Sequence, residues 1–351
     1  MWIRTLFLLD FRNYERVEVS FAPGLNLLMG PNGAGKTNLL EAIDLLVTGR
    51  SHRISRETEV IRFGCPWALV RGTFERRGGT HTAEVRIERT GLKTIRVQGN
   101  RLSRQDLLGR AVRVSSGPED TEIICGPSIH RRRLMDGLLC QMSPSYYHNL
   151  LRYVRVVQQR NRLLRAHAPS HLLEIWDEQL VELGAGITER RAQLLGRLAP
   201  AAAEAARALA CGTLRVTYKP SWEPGADLRE RAMAEVARRR RQELERGMTL
   251  TGPHRDELEI TLDEIPLRAY GSRGQQRAAL LSIRLAERTI VREELGEDPI
   301  LLLDDAAGEL DQERTEALLR LLEDGPQAIL TATDRHQIPV QDIHVLSFLA
   351  P

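Results

Sequence analysis

The octapeptide Gly30-Pro31-Asn32-Gly33-Ala34-Gly35-Lys36-Thr37 matches the Walker A pattern at every defined position. Glycines at this spacing let consecutive backbone N–H groups curl around phosphate oxygens, and a helix opening at Lys36 adds its positive end. The Lys36 ammonium then reaches the β- and γ-phosphates of a nucleotide such as ATP, and the Thr37 hydroxyl reaches Mg²⁺. A glycine-rich turn without a ligand is the bland alternative. Composition weighs against it. Of 50 basic residues only Lys36, Lys93 and Lys219 are lysine, so a lysine marks a place where arginine does not substitute. The reading is nucleotide binding.

A second set of groups lies far along the chain. Ile300-Leu301-Leu302-Leu303-Asp304-Asp305 reads as an apolar strand ending in two carboxylates. Alone, that is a buried strand with a capping acid. Beside a Walker A pattern, Asp304 is the expected Mg²⁺ partner. Asp305 then faces the attacking water, as general base or as the group that positions it. Upstream, Tyr270-Gly271-Ser272-Arg273-Gly274-Gln275-Gln276-Arg277 opens a helix. Ser272, Gly274 and Gln275 there supply a hydroxyl, free N–H groups and a helix N-terminus, which make either an anion site or an ordinary cap.

These groups need elements to hold them. The N-terminus reads as a strand, Glu15 to Phe21 alternates as a half-buried strand, and Leu25 to Met29 is a more apolar one. Helical spacing follows at Leu39, Leu40, Ile43, Leu46 and Val47 and stops near Gly49, so the Walker A loop joins a strand to a helix. Trp67 to Val97 predicts antiparallel hairpins broken at Gly78-Gly79 and Gly91. Residues 128–210 and 228–246 carry helical spacing, Met248 to Leu267 returns to strands, and helix alternates with strand from Gly274 onward. The expectation is an α/β fold in two lobes. Lobe I comprises residues 1–115 plus 298–351, and lobe II is an inserted, mainly helical 116–297.

Composition bounds the alternatives. The chain has 351 residues, of which 42% are hydrophobic, which excludes a disordered chain and suggests two domains or one with a large insertion. No run of eighteen apolar residues suggests a membrane span. Cys65, Cys125, Cys140 and Cys211 form no metal-ligand spacing and no disulfide framework, which fits a reducing cytoplasm. A net charge of +3 permits contact with nucleic acid. Candidate phosphate contacts are Arg131, Arg132 and Arg133, the series Arg152, Arg155, Arg160, Arg162 and Arg165, and Arg238 to Arg241. For any one cluster a solvated helix face is the competing reading. Sixteen aromatics give no patch for stacking unpaired bases, so backbone-directed, sequence-independent duplex binding is expected. His254 and Arg255, in Gly252-Pro253-His254-Arg255-Asp256, suit either a functional loop or an Arg255–Asp256 salt bridge.

The blocks resemble a known class. The Ser272 segment is similar to the signature motif of ABC ATPases, and Gly308-Glu309-Leu310-Asp311 to their D-loop. The wide gap between Lys36 and Asp304 is similar to that of SMC-like heads rather than of transporter subunits. Asp10-Phe11-Arg12-Asn13-Tyr14, Asn38-Leu39-Leu40-Glu41-Ala42-Ile43, Pro118-Glu119-Asp120, Arg131 to Asp136 and Gly252 to Asp256 then resemble the RecF family, in family order. The resemblance implies a two-lobe ABC/SMC-like ATPase head. It implies slow ATP hydrolysis with Mg²⁺, an ATP-dependent homodimer on duplex or gapped DNA, and work with RecR, RecO and RecA. A short SMC-like tethering head is the competing function. Two departures stand out. Ser116-Gly117-Pro118-Glu119-Asp120 replaces the Q-loop glutamine, leaving Glu119 or Asp120 to approach Mg²⁺. Thr333-Asp334 stands where a switch histidine is expected, with His336 beyond.

Overall fold

The computed structural model describes residues 1–51, 53–54, 56–305, 310–323, 325, 327–333 and 343–348. Strands β1 (Trp2–Phe11) and β2 (Tyr14–Ser20) form the first hairpin. Strand β3 (Leu25–Met29) runs through the Walker A loop into helix α1 (Lys36–Thr48). That helix stops where Gly49 takes φ 68° and its N–H bonds to the Leu45 carbonyl. Strands β4 (Trp67–Arg76), β5 (Gly79–Glu88), β6 (Lys93–Val97) and β7 (Asn100–Leu102) follow as hairpins at the glycine breaks. Helix α2 (Arg104–Leu107) and strand β8 (Arg113–Ser116) complete this stretch.

The middle is helical. It contains α3 (Glu122–Cys125), α4 (Ser128–Met142), α5 (Pro144–Arg165) and the long α6 (Ser170–Ala208). After strand β9 (Leu214–Lys219) comes α7 (Leu228–Arg246), then β10 (Glu257–Leu262), β11 (Ile265–Pro266) and α8 (Leu267–Tyr270). Helix α9 (Arg273–Leu295) leads to β12 (Ile300–Leu303), α10 (Gln312–Glu323), β13 (Ala328–Ala332) and β14 (His344–Ser347). Strands β9, β10 and β11 make a small antiparallel sheet within the helical region. Its strand begins at Glu257. The Pro253–Arg255 segment, read as a loop between strands, is a single 3-10 turn, and proline there removes the N–H a ladder would use.

Two larger sheets position the site. One is antiparallel, in the order β2-β1-β4-β5-β6-β7; the other is parallel, in the order β14-β3-β13-β12-β8. The parallel sheet lies between two cores, as its run of apolar residues requires. Leu28, Ile300, Leu302 and Ile329 pack with α1 and the antiparallel sheet. Their neighbours Leu27, Leu301, Leu303 and Leu330 pack with the helical region. The alternation follows directly from the two-residue period of a strand. Because β3, β13 and β12 are adjacent and parallel, the Walker A loop and Asp304-Asp305 leave the sheet at the same edge, where α/β sheets bind ligands.

Candidate nucleotide site

The Walker A loop is walled by the first hairpin. Gly33 and Gly35 take φ of 84° and 97°, conformations that β-carbon-bearing residues rarely adopt. A Cβ on Gly35 would stand 2.6 Å from the Tyr14 hydroxyl and 2.7 Å from Asn13 Nδ2. Tyr14 donates to the Ala34 carbonyl at 3.3 Å, and Asn38 Nδ2 donates to Asn13 Oδ1 at 2.8 Å. Arg12 closes the clamp by bonding Glu41 on α1 through Nε and Nη2, at 2.9 and 2.7 Å. Ser51 and Arg53 bond the same buried carboxylate. Asp10 to Tyr14 therefore shapes the loop physically.

Inside, the Lys36 ammonium donates to the Gly30 and Pro31 carbonyls at 2.5 and 3.0 Å. Burial draws its pKa down, against the opposing pull of Asp304 and Asp305. Thr331, at the end of β13, ties the two acids together. Its hydroxyl donates to Asp304 Oδ1 at 2.7 Å and accepts the Asp305 N–H at 2.8 Å. Asp305 sits at φ 53°, in the left-handed region. Burial and then Asp304 push its carboxyl above the ordinary range, while Arg277 and Lys36 oppose them. Lys36, Thr37, Asp304, Asp305, Thr331 and Thr333 line one pocket together with Asn32, Gly33 and Gly35 of the loop. Thr331 carried no signal in the sequence; it reads as one more strand residue.

The segment after β8 is held by arginines of α9. Arg277 Nη1 donates to the Gly117 carbonyl at 2.8 Å. Asp120 accepts the Gly117 N–H at 3.2 Å and pairs with Arg284 at 3.1 Å. Glu119 is exposed and faces Arg53 at 3.8 Å. Both acids are engaged by arginines, yet they line a second pocket together with Thr37 and Asp304, so the loop is arginine-held beside the expected Mg²⁺ ligands.

Ser272 caps α9. Its hydroxyl accepts the Gln275 N–H at 3.3 Å, and the Gln275 side chain accepts the Ser272 N–H at 2.9 Å. Ser272 and Gln275 are exposed and Gly274 half-buried, and none of them lines the Walker A pocket. Of the D-loop, Asp311 caps α10 by accepting the Arg314 N–H at 2.9 Å. Gly308, Glu309, Asp334 and His336 lie outside the described residues.

Several expected DNA contacts are interior. Arg131 is buried, ion-paired with Glu257, and donates to the Ile123 and Gly126 carbonyls. Arg132 is half-buried and bonds Ser128 and the Asp256 carbonyl. Arg160 is fully buried between Asp177, Glu243 and Thr249. Arg133, Arg155 and Arg162 remain exposed. Arg238 and Arg239 pair with Glu235, Arg240 with Asp177 and Arg241 with Glu245. The expected Arg255–Asp256 bridge is replaced: Asp256 pairs with Arg191 at 2.7 Å, and Arg255 donates to the Thr249 carbonyl. His254 Nδ1 meets the Tyr153 hydroxyl at 2.7 Å. The block is a polar knot inside the helical lobe.

The model of the RecF/RecN/SMC N-terminal domain matches residues 2–346. The DNA replication and repair protein RecF of Symbiobacterium thermophilum is 41% identical, over 97% of this chain and 94% of its own length. This chain belongs to the RecF family. A second RecF, from Synechocystis sp., is 39% identical over 95% of this chain and 92% of its own. Among solved structures, the recombination mediator RecF bound to ATP, from the RecFOR pathway, superposes with a TM-score of 0.90 at 33% identity, over 99% of this chain and 95% of that one. An SMC head bound to the C-winged helix domain of ScpA shares the fold, with a TM-score of 0.58 at 16% identity over 96% and 91%. The fold is therefore the mixed α/β head that RecF shares with SMC proteins. Among the described residues no helix is long and apolar enough to cross a membrane.

Proposed function

We propose that this chain is an ATP-dependent DNA-binding protein of recombinational repair, closing as a homodimer around duplex DNA at gaps and aiding RecA assembly with RecR and RecO. The observation that carries the reading is the split of its chemistry. Lys36, Thr37, Asp304 and Asp305 share one pocket, whereas Ser272 caps an exposed helix end outside it. A second copy would bring Ser272, Gly274 and Gln275 to the nucleotide held by the first.

The residues present suit ATP and Mg²⁺. The Gly35 turn leaves no room for a side chain, the loop runs into the N-terminus of α1, and Thr37 and Asp304 supply the hydroxyl and carboxylate that Mg²⁺ prefers. When bound, Mg²⁺ would be held by Thr37 and Asp304 and would neutralise charge on the phosphate oxygens. Gly30 to Gly35 cradle the phosphates, and Lys36 adds positive charge against them. Asp305, with its raised pKa, takes a proton from water more readily than an ordinary carboxylate. Thr331 keeps Asp304 and Asp305 apart in role by fixing the first carboxylate and the backbone of the second. Lobe I, residues 1–115 plus 298–351, supplies this pocket apart from Pro118, and lobe II, 116–297, supplies the partner-facing cap. Relatives named for DNA replication and repair, and one bound to ATP, support the assignment.

Sedimentation with and without ATP tests it. The unaltered chain should dimerise with ATP. Lys36→Arg should keep part of the ATP affinity and lose turnover, and Ser272→Arg should bind ATP and stay monomeric. A monomer under all conditions removes the clamp. An SMC-like tethering head is the alternative, and binding to RecR separates the two.

A further inference from the structure

The outer face of the antiparallel sheet has no part in the nucleotide pocket, and its residues are set by strand register. Leu8, Val70, Val85 and Ile95 point into the core. Their neighbours point outward in two adjacent rows. One row runs Arg16, Leu9, Leu69, Arg86, Thr94; the next runs Glu18, Phe7, Arg71, Glu84, Arg96, Arg101. The rows hold five arginines and two carboxylates. The longer row crosses six strands at about 4.8 Å each and spans roughly 24 Å.

The arginines are ordered rather than loose. Arg16 and Arg71 lie over the Phe7 ring at 5.6 and 5.9 Å, and Arg86 lies over Trp67 at 4.6 Å. A guanidinium near a ring face gains a cation–π attraction, and its five N–H donors suit bidentate contact with phosphate. Glu84 and Glu88 are the counterweight: Glu84 pairs with Arg71 at 2.7 Å and faces Arg96 at 3.6 Å, and Glu88 faces Arg86 at 3.4 Å. The side chains remain about half exposed, at 50% for Arg71, 45% for Arg86 and 54% for Arg96.

We infer that this sheet face is a docking surface for the phosphate backbone of duplex DNA. The inference rests on the DNA-binding reading above and places the contact on lobe I, apart from the exposed arginines of the helical lobe. Charge complementarity selects a polyanion. The rings select a duplex over a single strand, because Phe7 and Trp67 are covered by guanidinium groups and are not free to stack on bases. Arginines set on strands, with no helix among them to enter a groove, select backbone contact without sequence preference.

Fluorescence anisotropy of a labelled duplex, titrated with the full chain plus ATP across a salt series, tests the surface. Arg86→Glu/Arg96→Glu should bind at least tenfold more weakly at 0.15 M salt, with a log–log salt slope shallower by about 2, since each phosphate contact contributes about 0.9. Glu84→Gln should bind several-fold more tightly, because it releases two arginines. A lobe II control, Arg155→Glu/Arg162→Glu, should change binding less than the sheet pair. Binding of a fluorescent ATP analogue should be unchanged in all three, and matched melting temperatures confirm folding. If the charge-reversed pair misfolds, Arg86→Gln/Arg96→Gln carries the same prediction with a smaller slope change. Undiminished binding by the sheet variants, or loss confined to the lobe II control, overturns the surface while leaving DNA binding intact. No salt-dependent binding by the unaltered chain overturns both.

Discussion

Arg284 answers two acids from one side of α9: Glu287 at 2.8 Å and Asp120 at 3.1 Å. The Arg284 side chain is 9% exposed and that of Glu287 only 4%, so water contributes little. Arg284→Met keeps much of the aliphatic length and removes the charged head. Two carboxylates then lose their partner at once. Breaking a buried pair from one side costs about 3–5 kcal/mol. At roughly 2 °C per kcal/mol for a chain of this size, melting should fall by about 6–10 °C near neutral pH. Glu287 can escape by taking a proton. Burial already raises its pKa although Arg284 and Arg113 pull it down, and without Arg284 it rises further. A carboxyl raised in the fold is comfortable when protonated, below its unfolded pKa, and costs stability as pH climbs through its folded value. The deficit relative to the unaltered chain should therefore be largest at pH 8 and shrink toward pH 5. Arg284→Met/Glu287→Gln should regain most of the loss while leaving Asp120 unheld. Thermal melting of the three proteins between pH 5 and 8 is the assay. A deficit under about 1 kcal/mol, or one equal at both ends, would refute Glu287 as a buried charge that depends on Arg284.

Gly35→Ala adds a methyl at φ 97° against Tyr14 and Asn13, so nucleotide affinity should drop at least tenfold with the far-ultraviolet spectrum preserved. Equal affinity by fluorescent-nucleotide titration would show that the hairpin does not wall the loop. Burial lowers the His254 pKa to about 4, so the folded chain holds it neutral while the unfolded chain takes a proton near 6.5. Its contribution is complete above about pH 6.5 and is lost as pH falls toward 4. His254→Gln should thus flatten the loss of stability between pH 7 and 5 in urea melts, and an unchanged slope would count against it.

The nucleotide pocket was legible because its parts are local. A glycine loop between strand and helix, or two acids after an apolar strand, can be seen within ten residues. What holds those parts together was not. Thr331 reaches Asp304 only because β13 lies between β3 and β12, a topological fact with no local mark. Arg277 and Arg284 are seven residues apart, hence on one face of α9, but their partners at Gly117 and Asp120 are remote in sequence. The arginine clusters mislead for a different reason. Arg131 shares the inward face of α4 with Leu134, Met135 and Leu138, and Arg160 that of α5 with Tyr153, Val156 and Leu164. Helical phase separates them from Arg133 and Arg155, whereas composition treats all four alike.

The strand order of the parallel sheet also sets a timetable. Strand β3 leaves the ribosome early, but both of its neighbours, β13 and β14, are made about 300 residues later. At roughly 5–20 residues per second, that is an interval of some 15–60 s in which the Walker A loop has no sheet beneath it. The antiparallel hairpins β4 to β7 pair locally and can form at once. A nascent or prematurely ended chain can therefore carry the whole Walker A sequence and still lack a nucleotide pocket. Only a chain synthesised almost to its last strand can acquire one.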